Sequence, residues 1–129
     1  MKTYRQEGNT SLLIINHKTS AKVFINNIVL IKGNANYSII YMDGGRERLV
    51  SHTIKFYEEH LENYGFLRVH RGYIINPNYV KEYNPEEESI MMANDIRVEV
   101  SRRKKYILKG FTLKANYQSK QHNVQTKKS

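Results

Sequence analysis

Cysteine is absent from the 129 residues, which removes disulfides, thiolate nucleophiles and cysteine-ligated zinc together. Long apolar runs are absent too. The longest, such as Leu12–Ile15 and Ile28–Ile31, hold four residues, against the roughly 18 a membrane-spanning helix needs. The opening Met1-Lys-Thr-Tyr-Arg-Gln-Glu is polar with no apolar stretch behind it, so no signal peptide is read there and a cytoplasmic location is expected. Phosphate-binding and dinucleotide-binding glycine motifs do not occur. The five histidines, His17, His52, His60, His70 and His122, have no metal-site spacing and no carboxylate cluster beside them. No metal or cofactor is expected, and no enzyme activity. No internal repeat is visible.

Acidic residues are missing from one region in particular. Residues 1–99 hold 12 Lys/Arg and 12 Asp/Glu, so their charges cancel. Residues 100–129 hold nine Lys/Arg and no acid, and carry the whole net charge of +9. A field this one-sided suits a polyanion, most often nucleic acid.

What the chain does contain is a series of short strands. A hydrophobic content of 40% supports one globular domain with a modest core, and ten Tyr suit half-buried strand positions. Strand-length runs recur at Leu12–Ile15, Lys22–Ile25, Ile28–Ile31, Tyr37–Met42 and Arg46–Val50, the last two joined by the turn signal Asp43-Gly44-Gly45. A helix is predicted over Thr53–Asn63. Ile54, Tyr57 and Leu61 share one face there, Ser51 or Thr53 stands at the start and Gly65 at the end. Strands resume at Phe66–Val69, Tyr73–Ile75, Tyr79–Tyr83, Ser89–Met92 and Ile96–Val100, with turns at Asn76-Pro77, Asn84-Pro85 and Asn94-Asp95. A second short helix is predicted from Arg102 to about Lys114. The domain division is a flexible N-terminus over 1–10, a mostly-β domain over 11–115 and a basic disordered tail over 116–129.

Two segments carry chemistry. In Phe66-Leu-Arg-Val-His-Arg-Gly-Tyr-Ile-Ile-Asn76 the apolar positions supply core, but Arg68, His70 and Arg71 cannot all be buried cheaply. Arg71, at the strand end, either stands idle in solvent or projects into a groove, where its planar fork matches guanine O6 and N7. About 25 residues later comes Ser101-Arg-Arg-Lys-Lys105, four consecutive cations after a strand. If a helix begins there, Ser101 caps it, and cations in its first turn oppose the helix dipole, a cost consistent with an anionic ligand. Lys32-Gly-Asn-Ala-Asn36 suits a tight loop, and its Asn residues can also read adenine. Glu86-Glu-Glu88 reads as solvated charge in a turn.

In order and spacing these segments resemble the LytTR-type DNA-binding domain, the output domain of many bacterial response regulators. Ile28-Val-Leu-Ile-Lys-Gly-Asn-Ala-Asn-Tyr-Ser-Ile39 is similar to that family's opening I-x-x-I-x-x-x-x-x-Y. Phe66–Asn76 is similar to its F-x-R-x-H-R-S-Y-x-x-N signature, and Val100-Ser-Arg-Arg to its closing V-S-R-R. The resemblance runs from Ile28 to Lys105 and reaches back toward Leu12. Gly72 departs from it, standing where members usually carry Ser.

The resemblance implies elongated antiparallel short-strand sheets with one or two short helices. It also implies that loops rather than a recognition helix enter the major groove. Carried over by motif, base contacts fall on Asn36, Arg71 and Arg103. Backbone or base contacts fall on Asn34, Tyr37, His70, Ser101, Arg102, Lys104 and Lys105. The implied partner is double-stranded DNA, bound by two copies on repeated sites. Members usually carry a receiver or other sensory domain first. Here about 11 residues precede the first predicted strand. The chain is therefore expected to act alone, to receive its signal from a separate partner, or to be part of a longer protein. The readings set against this one are an RNA or single-strand binder stacking bases on Tyr, a phosphodiesterase built on His70 and Arg71, and a binder of anionic membranes.

Overall fold

A computed structural model describes residues 3–5, 11–16 and 18–109. Its strands are β1 (Thr3–Arg5), β2 (Ser11–Asn16), β3 (Ala21–Phe24), β4 (Ile28–Asn34), β5 (Tyr37–Met42), β6 (Glu47–Val50), β7 (Leu67–His70), β8 (Tyr73–Ile75), β9 (Val80–Asn84), β10 (Ser89–Met92) and β11 (Arg97–Glu99). One α-helix, α1 (Ile54–Leu61), joins β6 to β7. The strands form three sheets, β1-β2-β3, β6-β5-β4-β8-β7 and β11-β10-β9, with every pairing antiparallel. The fold is mostly β, as expected.

The five-stranded sheet is covered on both faces. On one side Leu13, Ile15 and Val23 from the first sheet, Ile25 just after it, and Tyr57 and Leu61 from α1 pack against Ile31, Ile40 and Ile74. On the other, Ile90, Met92 and Val98 from the third sheet, with Val100 and Leu108, pack against Leu30, Val69 and Ile75. This explains why β4 reads as the continuous run Ile28-Val-Leu-Ile31 and not as an alternation: all four side chains are buried, two on each side. Each fully buried aliphatic contributes roughly 1.5–3 kcal/mol relative to exposure.

Turn chemistry sets the hairpins. Gly44 (φ 84°) and Gly45 (φ 82°) take left-handed conformations between β5 and β6. Gly33, expected in the turn of the β4–β5 hairpin, lies inside β4 opposite Ser38, and the left-handed turn position falls on Ala35 (φ 55°). Glycine is needed at 33 for another reason. A Cβ there would sit 3.0 Å from the Ile54 Cβ of α1, too close for ordinary packing. Asn76 is buried and structural. Its side-chain N–H donates to the Ile28 carbonyl (2.9 Å), and its Oδ1 accepts from the Asn78 N–H (3.0 Å), tying β4 to the turn after β8.

Several expectations need correction. Thr3–Arg5, within the N-terminal segment 1–10, forms a strand the sequence reading did not place and pairs with Ser11–Leu13. The predicted second helix is a tighter 3-10 turn, Arg102–Ile107, followed by the buried Leu108. Its expected continuation past 109, and the expected tail over 116–129, lie outside the described residues. Neither Thr53 nor Ser101 makes a side-chain capping bond, although both occupy the position before a helix. Gly65 does end the α1 region in a left-handed conformation (φ 86°).

Tyr57 holds a testable imbalance. It is fully buried, and its hydroxyl has no hydrogen-bond partner among the described residues. Burial pushes its phenol well above the usual range. Tyr57→Phe is therefore expected to raise stability by up to about 1 kcal/mol, because a desolvated, unsatisfied hydroxyl is removed. Since the folded-state value is raised, the neutral phenol's contribution is complete below the unfolded value near 10 and fades as pH rises past it. Thermal melts across pH 7–11 should show the wild type losing stability above about pH 10 more steeply than Tyr57→Phe.

Candidate nucleic-acid interface

Strand order and register bring three loops to one end of the central sheet. Asn34 faces Tyr37 across the β4–β5 turn. Lys32 faces Tyr73, and the Gly33 N–H donates to the Gly72 carbonyl (2.9 Å), so the β7–β8 turn lies beside the first. Beyond it, the Ser101 N–H donates to the Val69 carbonyl (2.9 Å) and docks the 101–105 segment against β7. The expected contact residues therefore come from three separated stretches and arrive side by side. Arg68, His70, Arg71, Ser101, Arg103 and Lys104 line one open cleft of about 440 Å3.

Inside that frame the cations divide sharply. Arg68 is largely buried and spends its whole fork internally. It pairs with Glu58 of α1, donates to the His70 carbonyl (2.9 Å) and donates to the Arg71 carbonyl. It is a brace for the turn that carries Arg71. His70 is similarly occupied: its Nδ1 accepts from the Gly72 N–H (2.9 Å), and its Nε2 lies 3.7 Å from Glu99. The neutral ring thus carries its proton on Nε2. With Nδ1 closing a tight turn, the histidine is not arranged as a free base.

Glu88 is shared by two more cations. Its Oε2 lies 3.6 Å from Arg102 Nε and 3.5 Å from Lys105 Nζ. A 3-10 turn has three residues per turn, so positions 102 and 105 eclipse each other and face the same carboxylate. Read in sequence as solvated charge, Glu88 is instead a shared counter-ion, held in a left-handed turn (φ 54°) with its carbonyl accepting from the Val100 N–H (2.8 Å). No local sequence signal links positions 88, 102 and 105; only the third sheet's register does.

Three cations remain on the cleft or its rim without an ion pair among the described residues: Arg71, Arg103 and Lys104. Arg71 and Arg103 are exposed. Asn36 is exposed at the first turn, and next to it the Asn34 side-chain N–H donates to the Tyr37 hydroxyl (3.1 Å). Lys32, not singled out in the sequence, is exposed and equally unpaired between the first and second loops. Its place as the first charged residue after the apolar run Ile28–Ile31 is the signal that could have found it. At Gly72 an added Cβ would meet only His70 ring atoms at 3.5 and 3.9 Å, so a side chain fits where glycine stands.

No helix among the described residues is long and apolar enough to cross a membrane. No group of three or more His, Cys, Asp or Glu among them is placed to hold a metal ion.

The LytTr DNA-binding domain family profile matches residues 18–112, most of the chain and all three loops. The chain belongs to the LytTR family. This LytTR domain also resembles a solved LytTr DNA-binding domain, that of a protein described as a methyl-accepting/DNA response regulator from Bacillus cereus. The two align with a TM-score of 0.61 at 19% identity, covering 84% of this chain and 93% of that one. At that identity the likeness speaks for the fold. Among curated proteins none matches. Family membership gives DNA binding in transcription regulation as the general function of this LytTR domain, in a family defined by binding and not by catalysis.

Proposed function

We propose that this LytTR domain binds double-stranded DNA sequence-specifically, with its three clustered loops entering the major groove. The observation that carries this reading is the sorting of cations at one end of the central sheet. Arg68, Arg102 and Lys105 have carboxylate partners, while Arg71, Arg103 and Lys104 line one cleft without any. An unpaired arginine pays no exchange cost to bond a base edge, and its fork suits guanine.

In this reading Arg71, Arg103 and Asn36 read bases. Lys104, Asn34, Tyr37, Ser101 and the backbone around His70 set position on the phosphates, and Lys32 joins them. Arg102 and Lys105 reach phosphates only by exchanging Glu88. Two copies bind paired repeats. Loops entering adjacent turns of groove make a bendable duplex favourable, so step flexibility adds to the readout.

Selection of genomic fragments by the purified protein at about 0.15 M salt tests the reading. A recurrent enriched duplex motif is the expected result. Retention without enrichment would reduce the interaction to charge alone. On the selected duplex, Lys104→Ala is expected to weaken binding to all sequences alike and to lower the slope of log K against log salt by about one. A loss confined to the selected motif would instead make Lys104 a base reader.

A further inference from the structure

The β2–β3 turn lies outside the three loops, yet packing brings it to the same end of the fold. Ser38 pairs with Val50, so the end of β6 lies beside the start of β5 and the first loop. Against that edge an open cleft of about 360 Å3 is lined by Asn16, Thr19, Tyr37, Arg48, Leu49 and Ser51, among others. Tyr37 belongs to the first loop, so this cleft begins where that loop ends.

The polar groups in it are donors. Arg48 is exposed and has no partner among the described residues, and Lys18 stands exposed and unpaired on the adjoining turn. Asn16 Oδ1 accepts from the Lys18 N–H (2.9 Å) and the Thr19 N–H (3.2 Å), which leaves its side-chain N–H groups to point elsewhere. Thr19 Oγ1 accepts from the Ala21 N–H (3.3 Å) and keeps its own proton to give, as does Ser51. No carboxylate among the described residues lines the cleft. A guanidinium, an amide and two hydroxyls with no acid match a phosphate ester. Leu49, 69% exposed, offers an apolar wall suited to the face of a sugar.

We propose that this cleft seats a backbone phosphate of the bound duplex, immediately beyond the base step met by the Asn34–Tyr37 loop, and so forms a fourth, sequence-independent contact. The inference rests on the duplex reading above. It implies a footprint extending past the bases that the three loops read.

Phosphate-ethylation interference on the selected duplex, with the full chain, tests it. Wild type should show interfering phosphates under the three loops and a further one at the edge next to the first loop. Arg48→Gln should lose interference at that edge only, bind about 3- to 10-fold more weakly and have a salt slope lower by about one, with its melting temperature unchanged. Lys18→Gln should weaken the same position. A wild-type pattern that neither substitution alters overturns this inference and leaves the duplex reading intact. A pattern with no discrete phosphates on any duplex overturns both. Inorganic phosphate provides the remaining arm. If it perturbs the Arg48 and Ser51 amide resonances at constant ionic strength while duplex binding does not, the cleft is a free-anion site and the fourth contact is refuted.

Discussion

Replacing Arg103 with Ala should weaken binding to the selected duplex by about 1–3 kcal/mol, roughly 5- to 150-fold, while random duplex loses far less. The cause is the state of the side chain before binding. Arg103 is exposed, carries no counter-ion among the described residues, and projects from a turn held to β7 by the Ser101–Val69 hydrogen bond and to the core by Leu108. Its removal therefore costs the folded domain little and the complex a bidentate contact. Titrations of both duplexes by fluorescence anisotropy would measure the two losses. Preference should relax at one or two base positions and hold elsewhere. Equal losses on both duplexes would make Arg103 a phosphate contact and remove it from the readout. Arg103→Lys should recover the general attraction but little of the preference, because an ammonium cannot reproduce the planar fork.

Arg68→Ala should be as damaging without removing any group that touches DNA. One guanidinium holds Glu58, the His70 carbonyl and the Arg71 carbonyl together. Without it a half-exposed carboxylate and two carbonyls lose their donor, at about 1 kcal/mol of stability. The turn presenting Arg71 also loses its brace, so affinity for the selected duplex is expected to fall about tenfold, or 1.4 kcal/mol. Arg68→Lys should rescue little of either, since one ammonium cannot span three acceptors in that geometry. Amide exchange at residues 70–73 separates positioning from general destabilisation. Faster exchange there, with β9–β11 unchanged, is the expected signature. Uniform acceleration across the domain would reduce Arg68 to a stability residue.

Much of the architecture is legible locally. The strands Tyr37–Met42, Tyr73–Ile75 and Ser89–Met92 coincide with runs visible in the sequence, because apolar periodicity and Gly/Asn turns are short-range signals. The α1 face is equally clear from Tyr57 and Leu61. What is not legible arises from sheet-to-sheet packing. Gly33 looks like a turn residue until Ile54 is seen against it. Glu88 looks solvated until the third sheet carries it to Arg102 and Lys105. Arg68 and Arg71, three residues apart in one motif, look interchangeable as cations. Glu58, ten residues upstream on α1, is what makes one a brace and leaves the other free. The motif thus marks the neighbourhood of the interface, while the division of labour within it depends on contacts distant in sequence.

The Glu88 counter-ion has a kinetic consequence. Each cation already holding a carboxylate gives up a partner when it takes a phosphate, so Arg102 and Lys105 gain less from any encounter with DNA than a free cation would. In the proposed reading that discount applies to every sequence, whereas the gain from Arg71 and Arg103 needs the right bases. The domain should therefore leave wrong sites sooner than its net charge suggests. In a genome with about 10⁶–10⁹ competing sites, shorter stays at wrong ones speed the search for the right one.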